Sequence, residues 1–405
     1  MRLRGVWPWA ALCLCAFPGL AQERVLTLDE ALALARERGA AVALANGRIE
    51  EARARREQAG RRFQESPVLE MNGGYRRADR GFLDFEAALT QEIDAGRQRA
   101  ARLAGTQASV ERAEAELLEA RRLLVRDAGA AFVRAWVAGR RVAFLARSRA
   151  AADELLASTE RRFEAGEATA LELNRSRIAT ARARAEQGAA EAEGDTATAH
   201  LKALLGLPSG ETLILRGDLA RQPALEIAGF LESLDRRPDL RALAAEVREA
   251  EAEILLGQAL ARPDWGVRGG IAREERAEIV TAGVVVKLPL HRRGREAITV
   301  GQARADALRR SLEAVRAAAE TEIRGRFAAL ARQLAAVHEL ESAALPALDD
   351  NEALARKSFE AGEIDLGELL LLRREILETR LVYLERLLDA ALSRVELEAA
   401  AGALP

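Results

Sequence analysis

The side chains best suited to chemistry are few in this chain. His200, His291 and His338 are widely separated and lack paired-histidine or cysteine spacing, which argues against a dedicated metal centre. No glycine-rich phosphate loop and no nucleophile elbow is present. Asn174-Arg-Ser176 forms a glycosylation sequon, but on a segment of helical composition. Enzyme chemistry and cofactors are therefore not expected. What recurs instead is the pentapeptide Phe-Glu-Ala-Gly-Glu, at Phe163 to Glu167 and again at Phe359 to Glu363. A glycine between two helix-forming runs allows the backbone to reverse at low cost. Gly166 and Gly362 are thus candidate turn residues, and helix capping alone would account for the glycines.

The two copies lie 196 residues apart (359 − 163) inside similar surroundings, so the chain reads as one design written twice. Each copy follows a long run rich in Ala, Glu, Arg and Leu and precedes a shorter one. Proline-free sequence from Arg97 to Ala165 would make a helix roughly 100 Å long at ~1.5 Å per residue. Within it Leu103, Val110, Leu117, Leu124, Ala131, Ala138, Leu145 and Ala152 recur at every seventh position, the seam of extended helix packing. The second repeat carries the shorter column Ile323, Leu330, Val337 and Ala344. A helix is expected over 97–165 and over 295–361, with returning helices over 168–206 and 365–401. A rod-like coiled coil fits these heptads equally well.

Between the helices the period changes from helical to two. In Phe82 to Ile93 the residues Leu83, Phe85, Ala87, Leu89 and Ile93 share a face opposite Asp84, Glu86, Thr90 and Glu92. Val280, Ala282, Val284, Val286 and Leu288 do the same opposite Thr281 and Lys287. Paired with Val68 to Arg76 and Asp264 to Ala272, these segments form hairpins at 67–94 and 263–290. Each has about the length of a membrane-spanning strand, ~9 to 11 residues. Four strands cannot close a barrel, and lipid does not tolerate unpaired strand edges. Several copies must pool their strands if these hairpins enter lipid; small soluble β-domains on a coiled-coil scaffold are the competing reading.

Arg2 and Arg4 precede an apolar run from Val6 to Leu20, and Gly19-Leu20-Ala21 suits a signal peptidase, so a signal peptide over 1–21 is expected. Cys13 and Cys15 fall inside it without a lipoprotein context, which leaves no thiol in the mature chain. A first repeat over 22–209, a linker or equatorial segment over 210–225 and a second repeat over 226–405 follow. Composition is 49% hydrophobic but only 4% aromatic, with 31% charged residues and a formal net charge of −2. Long, closely packed, alanine-rich helices suit those numbers. Charges of both signs are interspersed, which argues against nucleic acid as partner.

In element order, duplication and turn motifs the chain resembles the TolC family of outer-membrane efflux proteins. The residues that carry the resemblance are Leu26 to Leu32, Gln91 to Arg97, Leu288 to Arg295, Leu204-Leu-Gly-Leu-Pro208 and both Phe-Glu-Ala-Gly-Glu turns. The compact length looks closest to the cation-efflux branch. The resemblance implies a mainly α fold with a small β part: a homotrimer in which an antiparallel α-helical coiled-coil tunnel is topped by a 12-stranded β-barrel, four strands per chain. It places the barrel in the lipid of the outer membrane of a Gram-negative bacterium, with a large periplasmic portion. It also implies that a periplasmic adaptor protein docks on the tips and links them to an inner-membrane pump, with Gly166, Glu167, Leu171, Gly362, Glu363, Leu366 and Leu370 on the docking surface. Some relatives narrow the tunnel with acidic rings six and nine residues past the second tip glycine. Those positions here are Glu368 and Leu371, so the second acid is missing; Glu172 is the counterpart of Glu368 in the first repeat. The reading that follows is a passive exit duct. An exported scaffold without a pore, or a duct for type I protein secretion, are the alternatives left open.

Overall fold

The computed structural model describes residues 23–38, 40–77, 82–94, 97–220, 226–274, 277–288 and 294–403. The expected signal peptide, Gly96 and His291 lie outside them. In chain order the elements are β1 (Glu23–Leu26), α1 (Leu28–Arg38), α2 (Ala40–Ala59), β2 (Val68–Arg76), β3 (Phe82–Ile93), α3 (Arg97–Glu164), α4 (Ala170–Leu205), β4 (Thr212–Leu215), α5 (Ile227–Ser233), α6 (Pro238–Leu260), β5 (Asp264–Glu274), β6 (Ala277–Lys287), α7 (Arg295–Glu339), α8 (Leu345–Glu360) and α9 (Leu366–Ala401).

Helix α3 runs unbroken for 68 residues, about 100 Å at the α-helical rise. One end leads from the strands and the other reaches the first turn. Every member of its heptad column is buried or half-buried. At mid-height α3 packs on α1, α4 and α9, and α7 joins through α9, in the main core, where Phe132, Leu201, Leu205, Ile323 and Leu397 are wholly buried. Alanine is frequent there, as close helix approach requires. The charged residues lie between helices rather than in one field: Arg112 reaches Glu249 at 2.8 Å, Arg248 reaches Glu111 at 2.7 Å and Arg309 reaches Glu251 at 2.6 Å. Exposed pairs of this kind contribute little stability each, ~0–1 kcal/mol, so their main effect is on register.

The C-terminal end of α9 is held by side chains from elsewhere. Arg122 donates to the Ala399 carbonyl at 2.6 Å, Arg237 to Ala400 at 2.7 Å and Ser233 to Ala401 at 2.8 Å. These satisfy carbonyls that a helix end leaves without intrahelical partners.

Three elements differ from expectation. The second long helix stays helical over 295–360, but a wide π turn at Leu340–Ala344 joins α7 to α8. Pro346 accounts for the π turn, because it lacks an N–H and its ring crowds the carbonyl four residues earlier. At the π turn Tyr383 donates to Glu341 Oε1 at 3.3 Å, and burial with the nearby carboxylate pushes its phenol up to about 12. Next, the segment expected to be a linker contains β4, which pairs in parallel with β1 from Glu23↔Thr212 to Leu26↔Leu215. Finally, the returning helices begin at Ala170 and Leu366, behind Thr169 and Asp365 as caps.

The four remaining strands form one antiparallel sheet in the order β2-β3-β5-β6. Its centre joins the two repeats, with Leu89 opposite Gly269 and Ile93 opposite Trp265. Where the sheet gives way to α6 and α7, helix packing is tight: a Cβ on Gly257 would lie 2.8 Å from the Gly294 carbonyl oxygen and 2.9 Å from Ile298. Gly257→Val should therefore force this junction apart. We expect a loss of at least ~2 kcal/mol by overpacking, read as a fall in the melting temperature of the assembled protein relative to Gly47→Val, where a Cβ meets nothing within 4 Å.

Candidate functional site

Two regions carry the candidate function, the sheet and the helical turns. Strand pairing settles which side chains share a face. Leu69, Met71 and Tyr75 of β2, Leu83, Phe85, Ala87, Leu89 and Ile93 of β3, Trp265, Val267 and Ile271 of β5, and Val280, Ala282, Val284 and Val286 of β6 fall in register on one side. Val280 is 82% exposed and Leu83 76%. Gln91, Arg273 and Glu278 share this side, toward its two ends; the apolar band between them is what lipid would cover. Tyr75 and Trp265 stand toward opposite ends of it, where interfacial aromatics belong.

The opposite side is polar. Arg268 of β5 pairs with Glu70 of β2 at 3.0 Å and with Glu86 of β3 at 3.4 Å, crossing three strands. Lys287 pairs with Glu92. No helix among the described residues is long and apolar enough to cross a membrane.

At the other end of the long helices, the two turns have the same construction. Gly166 has φ +79° and Gly362 φ +73°. The amide of Gly166 donates to the Phe163 carbonyl at 3.0 Å and that of Glu167 to Arg162 at 2.8 Å; Gly362 and Glu363 repeat this on Phe359 and Ser358 at 3.1 and 2.8 Å. This pair of bonds is a Schellman ending, which needs a left-handed residue where glycine sits. Nothing lies within 4 Å of a Cβ built on either glycine, so the requirement is conformational rather than steric. Glu167, Leu171 and Glu363 are exposed and Leu370 is half-buried.

Leu366, however, is not a surface residue. It is 3% exposed and packs with Leu369, Ala355 and, from the first repeat, Leu155 of α3. Its assignment to a docking surface is corrected accordingly: it holds the two turns together.

The two acids also part company. Glu172 closes a capping box, taking the Thr169 amide at 2.7 Å and its hydroxyl at 2.9 Å while its own amide donates to Thr169 Oγ1 at 3.2 Å. Those bonds, the backbone one foremost, hold its carboxyl below the usual range. A carboxylate so engaged is turned to its own helix end, which counts against a role in a pore constriction. Glu368 has no such reciprocal bond; only its amide is used, by Asp365 at 2.9 Å. The sequence signal for this difference was present as Thr169-x-x-Glu172 against Asp365-x-x-Glu368. Thr169→Ala should destabilise the start of α4 by about 1 kcal/mol, seen as faster amide exchange at Leu171 to Leu173. Because the folded pKa of Glu172 is lowered, its contribution is present above the ordinary carboxylate pKa near 4.5 and fades as pH falls through the lower folded value.

Matching relatives bear on both regions. The outer membrane efflux protein family model matches residues 31–207 and 231–403, one match per repeat. The nickel-cobalt-cadmium resistance protein NccC of Alcaligenes xylosoxydans xylosoxydans is 27% identical over 247 residues, 58% of this chain. That stretch spans 56% of the length of NccC. The cobalt-zinc-cadmium resistance protein CzcC of Cupriavidus metallidurans is 24% identical over 301 residues, covering 74% of this chain and 72% of CzcC. A membrane protein from Pseudomonas aeruginosa shares the fold with TM-score 0.77 at 21% identity, covering 93% of each chain. With both repeats matched and the fold shared along nearly its whole length, the chain belongs to the TolC-like outer membrane efflux protein family.

Proposed function

We propose that this protein is the outer-membrane channel of a tripartite efflux system. Three copies pool twelve strands into one barrel, and their long helices continue it as a tunnel across the periplasm. The observation that carries the reading is the register of the sheet, which gathers the apolar side chains on one side, with polar Gln91, Arg273 and Glu278 only toward its ends, and places Glu70, Glu86, Arg268 and Lys287 on the other. Closure into a shared cylinder turns the first toward lipid, pairs the free edges of β2 and β6, and leaves the second around water.

The turns at Gly166 and Gly362 are the adaptor-docking end, with Glu167, Leu171, Glu363 and Leu370 beside them. The adaptor connects the duct to an inner-membrane pump of the resistance-nodulation type, which supplies the energy and chooses the cargo. Metal cations are the cargo class supported by the names of NccC and CzcC. Three Glu368 side chains around the axis form a ring that attracts cations. Purified trimer added to planar bilayers should give stable unitary conductance steps, and it should run as a heat-modifiable trimer from the outer-membrane fraction. A preparation that never conducts would contradict the duct.

A further inference from the structure

At the foot of the sheet the acids Asp94 and Asp264 are bound on the polar side, to Arg102 and Gln98 of α3, and the register partner of Asp264 is Lys287. That side of α3 is the inner one. Arg97 and Ala100 stand about 140° and 160° round the helix from Arg102 at 3.6 residues per turn, which puts them on the outer side. There, with Ala101, with Leu255 and Gln258 of α6 and with Arg262 just past its end, they line a groove of about 310 Å³ between the two helices. Three residues beyond Arg262 stands Trp265, exposed at that end of the apolar face and paired with Ile93. The groove and the apolar face are thus continuous.

Charge tells what the groove would take. Neither Arg97 nor Arg262 meets a carboxylate among the described residues, whereas arginines between the same helices lower down do, as in Arg112 with Glu249 and Arg248 with Glu111. Near the feet of the neighbouring strands, Arg61, Arg62 and Arg295 add further guanidinium groups, against the acids Glu65 and Glu296. The outer rim is therefore basic. Between the two groove arginines the floor is Ala100, Ala101 and Leu255, with the Gln258 amide as a polar group beside them. Guanidinium forks match the paired oxygens of a phosphate, and an exposed tryptophan at the end of a lipid-facing band marks the depth of the membrane interface. An anionic phosphate joined to an apolar body satisfies both.

We infer that each groove holds one anionic glycerophospholipid of the periplasmic leaflet, its phosphate received by Arg97 and Arg262, its head group over Gln258, and its acyl chains running past Trp265 onto the apolar face. Since α3 and α6 belong to one chain, a trimer carries three such sites. The inference rests on the outer-membrane reading above and goes beyond it by naming the lipid class that the foot of the barrel selects.

Native mass spectrometry of the trimer extracted from membranes tests it, after delipidation and addition of phosphatidylglycerol, of phosphatidylcholine with the same chains, or of inorganic phosphate. The expected result is up to three phosphatidylglycerol molecules retained per trimer, at least tenfold more than phosphatidylcholine, with no retention of phosphate. Arg97→Gln combined with Arg262→Gln should cut that retention at least tenfold, the two Lys exchanges should cut it less, and Arg356→Gln, far off on α8, should leave it unchanged. Equal retention of the two lipids, retention insensitive to the glutamine pair, or phosphate binding as tight as the lipid overturns the site, while a trimer that still conducts keeps the duct. Absence of any trimer overturns both. Should the glutamine pair fail to assemble, the wild-type preference between the two lipids decides.

Discussion

Gly362→Val should abolish adaptor crosslinking and export while trimers remain intact. Gly362 holds φ +73° at the end of α8, a region that costs an L-residue ~1–2 kcal/mol and a β-branched one more. A Cβ at this position meets no neighbour within 4 Å. The strain is relieved instead by abandoning the left-handed turn, which would undo the bonds from Gly362 to Phe359 and from Glu363 to Ser358. The turn then presents a different surface, and a shift of ~1.4 kcal/mol in docking is already tenfold in affinity. Gly362→Asn, which tolerates the same backbone, should retain most of the docking. The main core and the sheet lie far up the helices from this site, so assembly should be spared. Wild-type export by the valine variant would remove the turn from the docking surface.

The second large effect concerns the apolar face. Val280→Arg places a charge on the side shared with Ile271 of the neighbouring strand, at a residue that is 82% exposed. In lipid this costs ~2–4 kcal/mol near the bilayer midplane, and a trimer incurs it three times. We expect heat-modifiable trimer to vanish from the outer-membrane fraction. Glu86→Gln, on the opposite face, weakens one arm of the Arg268 bridge and should leave insertion unchanged. Equal accumulation of both variants in the membrane would mean that the apolar face does not meet lipid.

What could be read in the sequence was whatever depends on local periodicity. The period-two alternation of Phe82 to Ile93 and the heptad column of α3 identify their elements, because the side-chain direction of a strand or helix follows from its own repeat. The repeated pentapeptide gave both turns. Features set by distant partners were not legible. Strand β1 has four residues and a partner nearly two hundred positions away, too short to show a period. Leucine at position 366 looks like any exposed turn residue until Leu155 of α3 is packed against it. The joining of β3 to β5 is likewise a long-range choice, although the alternation within β3 and β6 was legible beforehand. Two local signals were also present: Pro346, which sets a π turn into the second long helix, and the capping box that ties Glu172 to Thr169.

The central claim is that one copy cannot seal its own strands and that three must share a cylinder. Native mass spectrometry of the mature protein, extracted from membranes in detergent, addresses it directly. A particle of three chains that stays together until detergent and heat unfold it is the expected result. A monodisperse single chain, soluble after the detergent is removed, would contradict the account.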